Sequence, residues 1–446
     1  MQEPVGVAEN ALTPEVVAAG KNANNGSNNQ EKTPTRSIFQ KCLEKFIPYG
    51  GLMSSSLNLA SATLGAGILS LPTGFKMSGI AMAVVYLVLV GIATVYSLNL
   101  LGKVAVKTGV RTYGEAAQRI IGVYAGYYVA GLMMIMCFGG SVAYIIIVGI
   151  LLRTVVDRPS VPDFLRSDSG IRLLTSLVWL LVIVPLSIPK EINSLRHASL
   201  VGVLCIVFFS FVVVGLSIDH AVKEGFATDV VIVRGGNQAL GGFSLFLFSY
   251  VCQPNAFEIF REMTHRTPPR FTLYGIVGVM ICGVLYLLVG LFGYLHFGNA
   301  ISDTVISLYD PLENVVVAIG FIGVAVKVCV AFVLHLIPMR DALYHCLKWK
   351  VEQVPYWKHS MVVVTIDLLA LICGLFIPKV NTVFGFVGSF CGGHIGLIFP
   401  ALFYMYCGGF TREKVGNLDY FGSYLLLCVG VVAVVFGTAS TIYGAL

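Results

Sequence analysis

The run Thr63-Leu64-Gly65-Ala66-Gly67-Ile68-Leu69-Ser70-Leu71-Pro72 places two glycines and a proline close together in otherwise apolar sequence. Both residue types weaken a helix ladder in its middle. The run Ser249-Tyr250-Val251-Cys252-Gln253-Pro254-Asn255 does the same farther on. There Pro254 removes a backbone donor, while the side chains of Gln253 and Asn255 can pair backbone groups that the break frees. An interrupted helix presents the amino end of its second half, with free N–H groups and partial positive charge. It also presents the carbonyls that end its first half. The former suits a carboxylate and the latter an ammonium group or a cation, so two facing breaks can hold a small zwitterion. The alternative is that these residues only kink helices for packing, as Gly and Pro commonly do in membranes. Matched breaks five segments apart favour a solute site between repeats.

Charged residues within apolar sequence form a second group. Lys327 lies about fifteen residues into its segment, roughly 22 Å along a helix and near the bilayer midplane. A lysine there costs about 2.5–3.5 kcal/mol on insertion scales. Gly320, Gly323 and Ala331 share its helical face, which can therefore approach a neighbour closely. Asp367 lies midway along the next segment. Two readings are open: a structural Lys327–Asp367 ion pair, or an ion-coupling site in which the ammonium replaces sodium and exchanges a proton. Glu258 and Glu262, with Arg261 and Arg266, end the second broken segment. They read as an interfacial salt-bridge cluster or inner gate, with a substrate contact as the alternative. His335 and His394 read as packing and hydrogen-bonding residues rather than proton relays.

The elements that must position these residues follow from composition. Of 446 residues, 57% are hydrophobic and 12% charged, and the mean hydropathy is +0.84. Soluble domains carry roughly 25% charged residues, so a water-soluble globular fold and a disordered chain are both excluded. The apolar runs are continuous rather than alternating, which argues for helices and against a β-barrel. About eleven spans are expected on hydropathy, at 54–75, 79–101, 125–152, 173–188, 198–218, 239–260, 271–294, 312–338, 361–376, 382–406 and 420–441. The fold class is thus an all-α polytopic membrane protein. Residues 1–51 are polar and asparagine-rich, with no apolar stretch, and read as a disordered cytoplasmic tail. Residues 52–446 form the membrane domain. Lysine and arginine crowd the loops on the side of the tail, placing the amino terminus in the cytoplasm and the carboxyl terminus outside. The exception is an external loop in which Arg153, Arg158, Arg166 and Arg172 are accompanied by Asp157, Asp163 and Asp168. That loop reads as solvated and self-neutralising. The formal net charge of +6 mostly reflects topology and does not point to nucleic acid. Arg111–Arg119 is too polar to span and reads as a short helix at the interface or in the cytoplasm. Most of the eleven cysteines lie in apolar runs, with no CxxC pair and no zinc-like Cys/His spacing, so neither metal nor cofactor is expected.

The block from Met53 to Pro72 resembles the first span of the amino acid/auxin permease family, within the amino acid–polyamine–cation superfamily, and is most similar to the trypanosomatid amino acid permeases. Thr112-Tyr113-Gly114-Glu115, Phe246 to Asn255, Pro338-Met339-Arg340-Asp341-Ala342-Leu343, and Gly388-Ser389 with Pro400 also fit that pattern. The resemblance implies a LeuT-like inverted five-plus-five repeat with one extra helix. It implies alternating-access transport of amino acids by a permease, commonly a symporter driven by protons and sometimes by sodium, in the plasma membrane. It further implies that the substrate backbone sits at Thr63, Leu64, Gly65, Ala66 and Gly67, opposite Ser249, Tyr250, Cys252 and Gln253. No midplane carboxylate faces the site from the first, third or sixth span, which slightly favours neutral amino acids over cationic ones. The competing reading is an amino acid sensor that binds without flux. No catalytic aspartate pair, HExxH motif or nucleophile elbow lies in the spans, so an enzyme is not expected.

Overall fold

The computed structural model describes residues 50–189, 195–349 and 353–445. The tail expected over 1–51 lies outside them up to residue 49. Among the described residues every regular element is helical. In chain order these are α1 (Leu52–Thr63), α2 (Gly67–Ser78), α3 (Ile80–Thr108), α4 (Tyr113–Ile120), α5 (Val123–Val156), α6 (Asp168–Val178), α7 (Leu195–Glu224), α8 (Asn237–Ser249), α9 (Ala256–Glu262), α10 (Pro268–Phe297), α11 (Val315–Cys346), α12 (Tyr356–Phe376), α13 (Val380–Phe386) and α14 (Arg412–Val432). Three helices run on through π-helical turns: α6 to Ser187, α13 to Tyr406 and α14 to Ala445.

Nine helices among the described residues are long and apolar enough to cross a membrane. The pair α1 and α2, bent by 65° across a short break, brings the number to ten. The expected span 239–260 corresponds to α8 and α9, of 13 and 7 residues, neither of which crosses alone. Several helices outrun the apolar runs that announced them. For example, α11 continues past residue 338 through Arg340 and Asp341, whose side chains pair at 2.8 Å.

The helices pack in two groups. In one, α2 lies on α8, and α10 contacts α1, α2 and α3. In the other, α11 packs against α5, and α12 packs against α5. The groups are joined by α7, which touches both α10 and α11, and by the π-helical part of the α13 segment, Val387–Ile398, which touches α5, α8 and α14. The polar stretch Arg111–Arg119 folds as α4, where the Thr112 side chain accepts the Glu115 amide at 3.2 Å and Glu115 accepts the Arg111 amide at 2.7 Å. This reciprocal capping explains a helix that is not apolar enough to span. The arginine-rich loop is neutralised from within only in part: Arg153 pairs with Asp168 and Arg166 with Asp157 and Asp163, while Arg158 reaches Asp310 beyond the loop.

Candidate functional site

Both expected breaks are present. At the end of α1, Leu64 turns to φ −71° and ψ 82°, and the Gly65 amide folds back onto the Thr63 carbonyl at 2.8 Å. This is an inverse γ-turn, which redirects the chain within one residue. Pro72 is not part of the break; it lies inside α2. There it leaves the Ile68 carbonyl without its usual helical donor and packs toward Gly293. The glycines therefore set the interruption. No side chain caps α2, so its first amides face the gap. The Tyr144 hydroxyl, from α5, lies 3.4 Å from where a Gly65 Cβ would be.

The second break begins after Ser249. The helix ends at Tyr250, Cys252 leaves the helical region at φ −129° and ψ −3°, and Gln253–Asn255 forms a single 3-10 turn ahead of α9. Gln253 is buried, and its side-chain oxygen accepts the Cys252 amide at 3.0 Å, pairing a group that the break frees. Asn255 is exposed and caps nothing.

The two breaks face each other directly. A Cβ built on Gly67 would lie 2.7 Å from Ser249 Oγ and 3.3 Å from Ser249 Cα, so only glycine lets α2 approach the end of α8 this closely. Sequence reasoning missed the residue that joins them. Tyr286, on α10 and fully buried, holds its hydroxyl 2.9 Å from the Thr63 carbonyl and 2.6 Å from the Ser249 carbonyl. Its ring packs edge-on against Tyr250, with centroids 5.1 Å apart. Nothing local in the sequence marks Tyr286, because both acceptors are main-chain atoms distant along the chain. The gap therefore has amides on one side, carbonyls on the other, and two tyrosine hydroxyls between.

The charged candidates do not gather at this gap. Lys327 is buried on α11 and lies against Gly202 of α7. Its neighbours Gly323 and Gly320 approach Cys205 and Phe209 of the same helix. Close packing of that small-residue face matches the expectation. The structural ion pair with Asp367 is not formed among the described residues, because the lysine turns toward α7 while Asp367, fully buried on α12, lies beside Ser187 of the α6 segment. Glu258 and Arg261 are exposed on α9, and neither makes an ion pair among the described residues; Glu262 accepts from Asn58 of α1 at 3.4 Å. His335 and His394 are both hydrogen-bonded within the protein. The Nδ1 of His335 faces the Ala331 carbonyl at 3.0 Å, and its ring stands edge-on to Tyr144. The Nδ1 of His394 faces the Phe390 carbonyl at 2.7 Å, and its Nε2 faces the Tyr128 hydroxyl at 3.0 Å.

A family model described as "Transmembrane amino acid transporter protein" matches residues 49–443. The chain is similar to Vacuolar amino acid transporter 5 of Schizosaccharomyces pombe, with 27% identity over 362 residues, 80% of this chain and 84% of that one. It is also similar to Sodium-coupled neutral amino acid symporter 2 of Danio rerio, with 26% identity over 406 residues, 84% of this chain and 79% of that one.

Proposed function

As the chain belongs to the family of transmembrane amino acid transporter proteins, we propose that it is a secondary active permease that carries a zwitterionic amino acid by alternating access. The observation that carries this reading is the pair of facing breaks, whose carbonyl ends share the Tyr286 hydroxyl. The substrate carboxylate docks on the uncapped amides that open α2, where partial positive charge is concentrated. The substrate ammonium docks on the carbonyls of Thr63 and Ser249. Leu64, Gly65, Ala66 and Gly67 supply the backbone on one side, and Tyr250, Cys252 and Gln253 the wall opposite. Residues 52–446 act as one transporter domain with a cytoplasmic tail over 1–51. In this reading α8 and α9 together make the eleventh crossing, and the first ten crossings form an inverted five-plus-five repeat.

Neutral amino acids are the favoured class. Among the described residues no carboxylate side chain is placed at the gap, and the Danio rerio relative is named for neutral substrates. Coupling is assigned to a proton, with Lys327 as the group that carries it, Asp367 as a second candidate, and Glu258 with Arg261 as the inner gate. The distribution of basic residues supports an amino terminus in the cytoplasm and a carboxyl terminus outside, and the plasma membrane is the location that the family resemblance implies.

The test is uptake of radiolabelled amino acids into proteoliposomes, with neutral, basic and acidic competitors, at two pH values, with and without sodium. Saturable uptake inhibited by neutral amino acids and driven by an inward proton gradient is the expected result. Saturable binding without flux overturns the transport reading and leaves a sensor.

A further inference from the structure

The Tyr286 hydroxyl has one hydrogen and two carbonyl oxygens within reach, at 2.6 Å on Ser249 and 2.9 Å on Thr63. The shorter distance assigns that hydrogen to Ser249. The Thr63 carbonyl already takes the Gly65 amide at 2.8 Å. The two carbonyls that face an incoming ammonium are thus satisfied from inside the protein, by one phenol and one amide, among buried residues. We propose that Tyr286 is the residue that sets recognition and release of the substrate amino group: its hydroxyl holds the ammonium's acceptors while the site is empty, yields the Ser249 carbonyl when an ammonium arrives, and returns to it when the substrate leaves. The proposal rests on the reading that a zwitterion docks between the two breaks.

The physical consequence is a trade between affinity and turnover. Without the phenol oxygen, an empty site leaves a buried carbonyl unpaired, a state that costs free energy until an ammonium fills it. Part of that cost appears as tighter substrate binding. The same interaction then has to be broken with no replacement donor, so release slows. The wild-type hydroxyl removes both effects because it supplies in the empty state the hydrogen bond that the substrate supplies in the bound one. A group acting only by packing has no such effect, since Tyr286→Phe keeps the ring that stands on Tyr250.

The experiment compares wild type and Tyr286→Phe in proteoliposomes, measuring KM and maximal rate of amino acid uptake. Equilibrium binding is measured in parallel for the amino acid and for its deaminated carboxylic acid. The expected result is a fall in KM and in maximal rate, each of up to about tenfold, the equivalent of one hydrogen bond of roughly 1.4 kcal/mol, with binding of the deaminated acid unchanged. A raised KM at unchanged maximal rate, or no change in either, overturns the proposal. So does an equal change for the deaminated acid. Should the variant not fold, wild-type protein labelled throughout with 3-fluorotyrosine gives the converse test: a more acidic phenol donates more strongly and has to raise KM for the amino acid alone. Failure of the underlying transport reading looks different, because wild type itself would then take up no amino acid.

Discussion

Lys327 lies along Gly202: a Cβ added to that glycine would come 2.7 Å from Lys327 Cδ and 3.6 Å from Lys327 Cβ. The contact shows which way the lysine faces. It packs into α7 rather than toward Asp367, so no carboxylate among the described residues pairs with it, and the cost of burying an ammonium is not offset in the way a structural ion pair would offset it. That favours the coupling role. Tyr286 aside, the sharpest test is Lys327→Met, which keeps the stem and removes the ionisable head. The expected outcome is folded protein, retained uptake and loss of the pH dependence of uptake in proteoliposomes. Full pH dependence in this variant would end the coupling role. Gly202→Ala meets the middle of the stem rather than its free end, so overpacking of about 1–3 kcal/mol is expected, read as a lower melting temperature. The two substitutions should be non-additive, since they share one contact.

The approach of α2 to α8 makes a separate prediction. At Gly67 an added methyl group would press on Ser249 Oγ, which can rotate, but also on Ser249 Cα at 3.3 Å, which cannot. The two breaks would have to part by a few tenths of an ångström. Gly67→Ala is therefore expected to reduce uptake by at least about tenfold, because positioning of reacting or binding groups tolerates little displacement, while costing about 1–3 kcal/mol of stability. Uptake close to wild type, at equal protein density in the liposome, would show that the close approach does not matter for transport.

What could be read from the chain follows the range of the interactions involved. The interruption at Gly65–Gly67 is local, written in two residues that lower helix stability, and the bend falls there. The break after Ser249 is likewise marked by Gln253-Pro254, and the pairing of Gln253 with the Cys252 amide is a neighbour contact. The Arg153–Asp168 and Arg166–Asp157 pairs were legible because their acids and bases are close in sequence, whereas the reach of Arg158 to Asp310 was not. Two further features were not legible. Tyr286 binds main-chain atoms of two distant segments, and no side-chain pattern encodes that. The partner of Lys327 depends on the rotation of α11 about its own axis, and the small residues on its face say that a neighbour comes close without saying which one.

A partly buried network ties the third, thirteenth and fourteenth helical segments. Lys103 of α3 donates to Asp419 of α14 at 2.5 Å, and the Tyr404 hydroxyl donates to the same carboxylate oxygen at 3.0 Å. The Lys103 ammonium also stands 5.6 Å over the Tyr404 ring. The Asp419 side chain is 12% exposed, so its loss leaves a lysine and a phenol without their acceptor. Asp419→Ala is expected to cost about 1.5–3 kcal/mol, the value of hydrogen bonds to a charged group, seen as a fall in melting temperature. Lys103→Met in the same background should recover part of that loss, because it removes the stranded charge. A double variant no more stable than Asp419→Ala alone would show that the ion pair contributes little.

The last prediction concerns pH. Asp303, in the segment between α10 and α11, receives the Val380 and Asn381 amides at 3.1 and 3.4 Å, while its own carbonyl accepts the Thr73 hydroxyl and the Asn381 side-chain amide, each at 2.9 Å. It thereby links α2 to the start of α13. Burial pushes the Asp303 carboxyl above its usual range, and the two α13 amides only partly offset this. A carboxyl raised by folding binds its proton more tightly in the native state. Its contribution to stability is therefore full below the unfolded value, about 3.9, and is lost as pH rises through the higher native value. Asp303→Asn keeps one carbonyl acceptor, for the shorter Val380 contact, gives up the longer one to Asn381, and cannot ionise. Melting temperatures of wild type and Asp303→Asn, measured in detergent from pH 4 to pH 7, should converge or favour wild type at the acidic end. They should shift in favour of the variant as pH rises. A difference that moves the other way with pH would mean that the α13 amides outweigh burial and hold the carboxyl below its usual range.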